Sequence, residues 1–422
     1  MSAADFVHGV VSWLNRNRRY VLAMALQLAL FPFGHWYDTR IFFGTGAGVA
    51  DGLSPYVRYD LIDYYNSPSL VGIVSGIGYP PPWALFLAVT YYFAYLPTGS
   101  PFVMNLAIKL PIIAGNLALA RFVTAKLQSE GCDSVTASRA ELLVLFNPFL
   151  LYTSVFWNMF DTLVALFVLV SLHFLDKDRP VAAGLALGFS IALKHLALPL
   201  IPLAWLWIAR RPFPREGRVH QFATFTSALL GIGIALVILP FYVFGWSVSG
   251  FSAAVSYQTM VSGGFTIYNT IPLDLGSPSV LSVLGYLPFI AVIGGYIVLR
   301  SRPLKDFRDL TEFALIILIV FMTTRTFLAE QNLAMIFPLI LFPELLSNRG
   351  LRVANRFWNL FLIYTLWNSI PIQFSFLIFP NAFDLTAAIT TSFPFGLIRQ
   401  VFLFGCAILW LLLGWNYIVR HA

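Results

Sequence analysis

A chain of 422 residues that is 59% hydrophobic and only 11% charged lacks the polar side chains to clothe a soluble surface of that size. With a mean hydropathy of +0.78, soluble enzymes and disordered scaffolds are excluded and a polytopic membrane protein is expected. The net charge of +7 does not mark a nucleic-acid binder, because the basic residues sit in short clusters between apolar runs, as positive-inside orientation leaves them.

Apolar segments of spanning or near-spanning length are expected near 20–36, 81–97, 102–125, 140–154, 158–175, 181–194, 196–209, 221–244, 282–299, 311–328, 332–347, 357–378 and 397–419. Arg16, Arg18 and Arg19 precede the first segment, and no small-x-small cleavage site follows it, so a retained span is expected rather than a signal peptide. Between it and the second segment runs a polar loop, from about Gly34 to Tyr79, carrying Asp38, Asp51, Asp60 and Asp63. An ionisable group at a membrane boundary is costly when poorly solvated, which makes these residues functional candidates. Asp38 lies at the mouth of the first span beside His35, Trp36 and Tyr37, where a partly desolvated carboxylate could serve as a general base. The bland alternative is an ordinary solvated loop carboxylate.

Basic clusters at Arg16 to Arg19, Arg121 to Arg139, Lys177 to Arg179, Arg210 to Arg218, Arg300 to Arg308 and Arg349 to Arg356 are expected on the cytoplasmic side. Parity then requires one of the three early segments not to cross. The segment 81–97 is the exception, because Pro80, Pro81 and Pro82 with Tyr91, Tyr92 and Tyr95 suit an interfacial or re-entrant helix. The expectation is one all-α integral-membrane domain over 1–422, a polytopic helical bundle of about twelve crossings. Both termini are cytoplasmic, and residues 34–101 form the first non-cytoplasmic loop unit. The 14-residue stretch 181–194 rises only about 21 Å against a hydrocarbon core of roughly 30 Å, so the break at Lys194 and His195 should lie below the outer surface and line a cavity.

This topology brings costly polar residues to the outer side: Asp38, Arg40, Tyr79, Lys109, Asn158, Asp161, Lys194, His195, Arg325, Glu330, Gln331 and Asn332. Lys194 at the outer end of its span is a candidate point charge for a phosphate, whereas snorkelling would suit a cytoplasmic end. His195 reads first as a satisfied helix-end histidine. Asp161 fits a carboxylate meeting a helix dipole, or one that shapes the site. Arg325 and Glu330 could pair with each other, and Lys109 is either a snorkelling anchor or a phosphate partner. The run Gly44-Thr45-Gly46-Ala47-Gly48 lacks the strand-to-helix context of a nucleotide-binding turn. No metalloprotease motif or His/Cys cluster is present, and Cys132 and Cys406 are too far apart in sequence to suggest a disulfide or metal site.

Several passages together resemble a family: YDTRIFFGTGAGVADGLSPY, YPPPWALF, NPFLLYTSVFWNMFDTLVALFVL, GLALGFSIALKHLALPLIPL and RTFLAEQNLAMIFPLIL. In this order they resemble the membrane-embedded glycosyltransferases of the GT-C fold. The likeness is to GPI mannosyltransferase I-like and related polyprenol-phosphate-mannose-dependent mannosyltransferases. The resemblance implies inverting transfer of a sugar, mannose by that likeness, from a polyprenyl-phosphate donor to a lipid or glycan acceptor on the non-cytoplasmic face. It implies that Asp38 is the first-loop catalytic aspartate, that Lys194 lies near the donor phosphate, and that Glu330 and Gln331 belong to the later site segment. Many relatives carry Asp-x-Asp in the first loop, whereas this chain has Asp38-Thr39-Arg40. A bound divalent metal is therefore doubtful, and Arg40 could itself neutralise phosphate. The competing readings are a transporter or flippase of lipid-linked sugars and a non-enzymatic assembly subunit; the lack of an internal repeat speaks against the first.

Overall fold

The computed structural model describes residues 17–269 and 283–421, and among them the chain is predominantly helical with two short strand pairs. Helix α1 (Arg18–Ala29) stops short of the expected span 20–36. The sequence Phe31-Pro32-Phe33-Gly34 is apolar, but Pro32 has no N–H for the helical ladder, and the chain turns. A second helix, α2 (Trp36–Ala50), then begins inside the segment expected to be a loop. Its small-residue run packs closely: a β-carbon on Gly48 would lie 2.1 Å from Tyr59 Cε1. Strands β1 (Tyr59–Asp60) and β2 (Ile73–Val74) pair antiparallel and close the rest of this unit.

Prolines 81 and 82 open α3 (Pro81–Thr90), where a missing N–H is harmless, and a π-helical turn over Tyr91–Tyr95 ends it. Next come α4 (Pro101–Ser129), α5 (Ser134–Leu145) and the short α6 (Pro148–Leu151). Asn147 caps α6 by accepting from the N–H groups of Phe149 at 3.0 Å and Leu150 at 3.1 Å. A π-helical turn over Tyr152–Phe156 leads to α7 (Asp161–Asp176) and α8 (Pro180–Leu193). A 3-10 turn over His195–Leu200 joins α8 to α9 (Ile201–Arg210), as the expected short pair requires. Helix α8 packs on α7 and on α10 (Arg215–Gly233). Glycines make the second contact close, since a β-carbon on Gly184 would stand 2.4 Å from the Phe225 carbonyl oxygen.

A π-helical turn carries α10 into α11 (Leu239–Phe244), and α12 (Val248–Met260) occupies part of the expected 245–281 loop; residues 270–282 of that loop and of the next expected segment lie outside the described residues. Helices α13 (Leu287–Leu299), α14 (Phe307–Thr323) and α15 (Ile336–Leu346) follow. α14 and α15 are buried on nearly all sides, so they form the centre of the bundle. The expected segment 357–378 is shorter than its hydropathy suggested: α16 (Arg352–Asn368) ends before Pro371. The expected 379–396 loop contains α17 (Ala382–Thr391), and α18 (Phe395–His421) completes the chain.

Among the described residues, four helical stretches are long and apolar enough to cross a membrane: Pro101–Ser129, Ser134–Phe156, Arg215–Phe244 and Phe395–His421. Pro180–Leu193, His195–Arg210 and Leu287–Leu299 are shorter apolar helices. The protein is an all-α membrane protein.

Candidate active site

The site is organised around the turn at Trp157 and Asn158. The preceding π-helical turn ends with Asn158 in the left-handed region at φ 82°, a conformation asparagine tolerates better than most residues. This aims the Trp157 indole at the first turn of α2, where its N–H donates to Asp38 Oδ2 at 2.7 Å. His35 Nδ1 meets the same oxygen at 2.8 Å. The Asp38 backbone N–H also approaches His35 Nδ1, but at 3.4 Å, so the shorter contact fixes the hydrogen of Nδ1 on the carboxylate side. The His35 backbone N–H donates to the Trp157 carbonyl at 3.0 Å, and the two rings stack at 4.3 Å. Phe374 stands edge-on to both rings at 5.3 Å.

Both donors therefore use Oδ2, and Asp38 Oδ1 has no hydrogen bond among the described residues. Burial pushes the Asp38 carboxyl up. The hydrogen bond and charge of His35, the Trp157 indole and the Lys194 ammonium together outweigh it and hold the group below its ordinary value. Asp38 is thus ionised at neutral pH with one oxygen open. Tyr79, fully desolvated and facing the charges of Asp38 and Asp161, is held well above the usual phenol range and stays a neutral donor.

Lys194 sits in the break after α8, in extended backbone at φ −157°, ψ 127°, which turns its side chain into the bundle. Its ammonium donates to Asp161 Oδ1 at 2.8 Å and Oδ2 at 2.9 Å, with the two side chains 4% and 1% exposed. Asp161 is accordingly more than a carboxylate at a helix start: it is the counter-ion of Lys194. The ammonium also lies 4.9 Å above the Tyr79 ring. Lys194 and Asp161 both lie within electrostatic range of Asp38.

The segment 325–332 runs into a 3-10 turn, Glu330–Met335, that packs on α7 and on the π-helical turn before Trp157. Strands β3 (Gly263–Gly264) and β4 (Phe327–Leu328) pair in parallel and hold it. Arg325 is buried, donates through Nε to the Phe327 carbonyl at 2.8 Å, and makes no ion pair with a carboxylate among the described residues. The Arg325–Glu330 pair, one of the two readings open from the sequence, does not form; Glu330 instead accepts a hydrogen bond from Asn368. Gln331 lies beside the Tyr79 phenol. His195 is half-buried, with its Nδ1 inaccessible and unpartnered among the described residues, within range of Arg325 and Lys194. Glu330 in turn feels the charges of His35 and Asp38.

Asp38, Tyr79, Asp161, Lys194, His195, Arg325, Glu330 and Gln331 are thereby connected through contacts and charge. Two candidates are not. Lys109 neither snorkels nor faces the site: it is fully buried and donates to the carbonyls of Leu30, at 2.9 Å, and Phe33, where α1 has ended. Asn105 donates to Phe31 O at 2.6 Å and Phe33 O at 2.9 Å, and accepts from Asn158 at 2.8 Å, so this polar set supports the site from beneath. Arg40 is pinned to the Val71 carbonyl and lies 4.5 Å over the Trp36 ring.

Trp157, Asn368 and the Asp38-binding role of His35 were missed by sequence reasoning, which weighs charge and finds none in an indole or an amide. Among the described residues, no group of three His, Cys, Asp or Glu side chains could hold a metal ion. A carboxylate with one open oxygen, beside buried cations in a largely water-excluded site, can take a proton from a hydroxyl while a neighbouring anion departs.

The family model described as Glycosyltransferase family 87 matches residues 78–329, well over half of the chain. The match includes Tyr79, Asp161, Lys194 and Arg325; Glu330 directly follows it, and Asp38 lies well before it. No curated protein matches the chain.

Proposed function

The chain belongs to glycosyltransferase family 87, and from that premise we propose that it moves mannose from a polyprenyl-phosphate donor to a hydroxyl of a lipid or glycan acceptor, with inversion, on the non-cytoplasmic face. The reading includes about twelve crossings with both termini cytoplasmic, and a likeness to GPI mannosyltransferase I-like enzymes. The observation that carries it is the open Oδ1 of Asp38 in one site with Lys194 and Arg325.

In this mechanism Asp38 Oδ1 accepts the proton of the acceptor hydroxyl as its oxygen attacks the anomeric carbon from the face opposite the phosphate. The bond from anomeric carbon to phosphate oxygen breaks, and the polyprenyl phosphate leaves with one more negative charge. Cations stabilise that charge most where water is excluded. Asp161 takes two donors' worth of the Lys194 ammonium, which leaves one N–H for the phosphate. Arg325, buried and without a carboxylate partner among the described residues, is the stronger phosphate partner. Glu330 and Gln331 contact sugar hydroxyls, and Tyr79 stays a neutral donor.

The test is incubation of the purified protein with polyprenyl-phosphate mannose and a lipid extract, read by mass spectrometry of the glycolipids. A product heavier by one hexose supports the reading. Absence of product with this donor, alongside product from another activated sugar, would overturn the donor assignment.

A further inference from the structure

The later site segment is secured from beyond the matched stretch. Glu330 Oε1 accepts from the side-chain amide of Asn368, the last residue of α16. The Asn368 Oδ1 and its backbone oxygen both accept from Arg399 Nη2, at 3.0 and 2.8 Å, and Arg399 Nε donates to the Trp367 carbonyl at 2.8 Å. Arg399 belongs to α18 and makes no ion pair among the described residues. Its hydrogen bonds in this structure all go to the end of α16.

This arrangement removes an ambiguity. A carboxamide can present either end to a neighbour, but a guanidinium has only donors. Arg399 must therefore take the Asn368 oxygen, and the amide must turn its N–H toward Glu330. An N–H donor favours the ionised carboxylate, whereas burial favours the neutral acid. Glu330 is 4% exposed, and burial outweighs the amide donor and pushes its carboxyl above its ordinary value, while no side chain among the described residues donates to its Oε2. One oxygen is clamped, and the other retains acceptor capacity that suits hydroxyl donors of a sugar ring.

We propose that Asn368 and Arg399 are positioning residues for transfer: they orient Glu330 so that its free oxygen accepts from hydroxyls of the sugar. The proposal rests on the reading of this site as a sugar-transfer site, and it couples α18 to the chemistry.

The experiment is a double-mutant cycle in lipid-reconstituted protein, supplied with polyprenyl-phosphate mannose and the same lipid extract, with kcat and KM measured across pH and thermal unfolding followed in parallel. Glu330→Gln and Arg399→Gln should each lower kcat/KM by about 10-fold or more, in line with a lost charge-assisted hydrogen bond. In the Glu330→Gln background, Arg399→Gln should add less than about 2-fold. Asn368→Asp keeps an acceptor for Arg399, gaining an ion pair, and replaces the donor to Glu330 with a second carboxylate. It covers the case in which Arg399→Gln fails to fold. Its loss should be relieved at acid pH, where one proton shared between Asp and Glu330 restores a donor, a response that a merely structural role would not give. Effects that multiply fully with Glu330→Gln, or a pH-independent loss in Asn368→Asp, would overturn the proposal. So would wild-type kinetics in Glu330→Gln, which would leave the Asp38 assignment standing on its own test.

Discussion

The indole N–H of Trp157 donates to Asp38 Oδ2 at 2.7 Å, across 119 residues of sequence. This bond orients the carboxylate and, with His35, opposes the effect of burial on its ionisation. Because the folded value of Asp38 lies below its ordinary one, the carboxylate is present above that lowered value and is lost only as pH falls through it. The Asp38 limb of the kcat/KM profile should therefore lie below the ordinary aspartate value, and a limb from Glu330, whose carboxyl burial pushes up, should lie above the ordinary glutamate value.

Trp157→Phe removes the donor and keeps the stack on His35. With burial less opposed, the acid limb should move to higher pH by about one unit, since a hydrogen bond to a charged group is worth about 1.5–3 kcal/mol. A limb that stays in place would show that the indole does not tune Asp38.

Lys194 and Asp161 form a bidentate pair with almost no exposure. Removing one partner strands a buried charge at a cost of about 3–5 kcal/mol. Lys194→Met and Asp161→Leu should each lower the unfolding temperature in detergent strongly, and the double variant should be more stable than either single one. Additive destabilisation would contradict the pairing.

Arg325 has no carboxylate partner among the described residues and spends only Nε on one carbonyl, that of Phe327, so its replacement should act more on substrate than on folding. Arg325→Met should weaken binding of a polyprenyl phosphate by about 10- to 100-fold, with a much smaller change in thermal stability. Unchanged lipid-phosphate binding would remove Arg325 from the donor site.

Lys109 should behave in the opposite way. It supplies hydrogen bonds to carbonyls left open at the end of α1, and Lys109→Met leaves those groups unsatisfied in a buried place. The expected result is loss of folded protein in size-exclusion chromatography; a stable variant with selectively impaired donor binding would show that Lys109 faces the substrate after all.

The helical membrane fold was legible because hydropathy and basic clusters are written along the chain. Counting topology also grouped Asp38 with Lys194 and Glu330, and in the structure the charges of these residues lie within range of one another. The breaks were less legible. Phe31-Pro32-Phe33-Gly34 reads as apolar, so α1 and α2 were merged into a span and a loop, although proline ends the ladder. Lys109 and Arg40 were grouped with the site by charge and depth, and only three-dimensional packing reveals that backbone carbonyls claim both. The partners of Asp38 and Glu330 were hidden for a related reason. Trp157 and Asn368 are uncharged, and the π-helical turn that aims Trp157 has no plain sequence signature.

The central claim is that Asp38 takes the acceptor proton. The most direct measurement is the rate at which purified, lipid-reconstituted Asp38→Asn forms hexosylated glycolipid from polyprenyl-phosphate mannose, beside its affinity for that donor. Asparagine keeps the shape and can still accept a hydrogen bond from Trp157, but it cannot take up a proton at neutral pH. The account predicts a fall in turnover of at least about 100-fold with donor binding and thermal stability retained. Turnover near that of the native protein would contradict it.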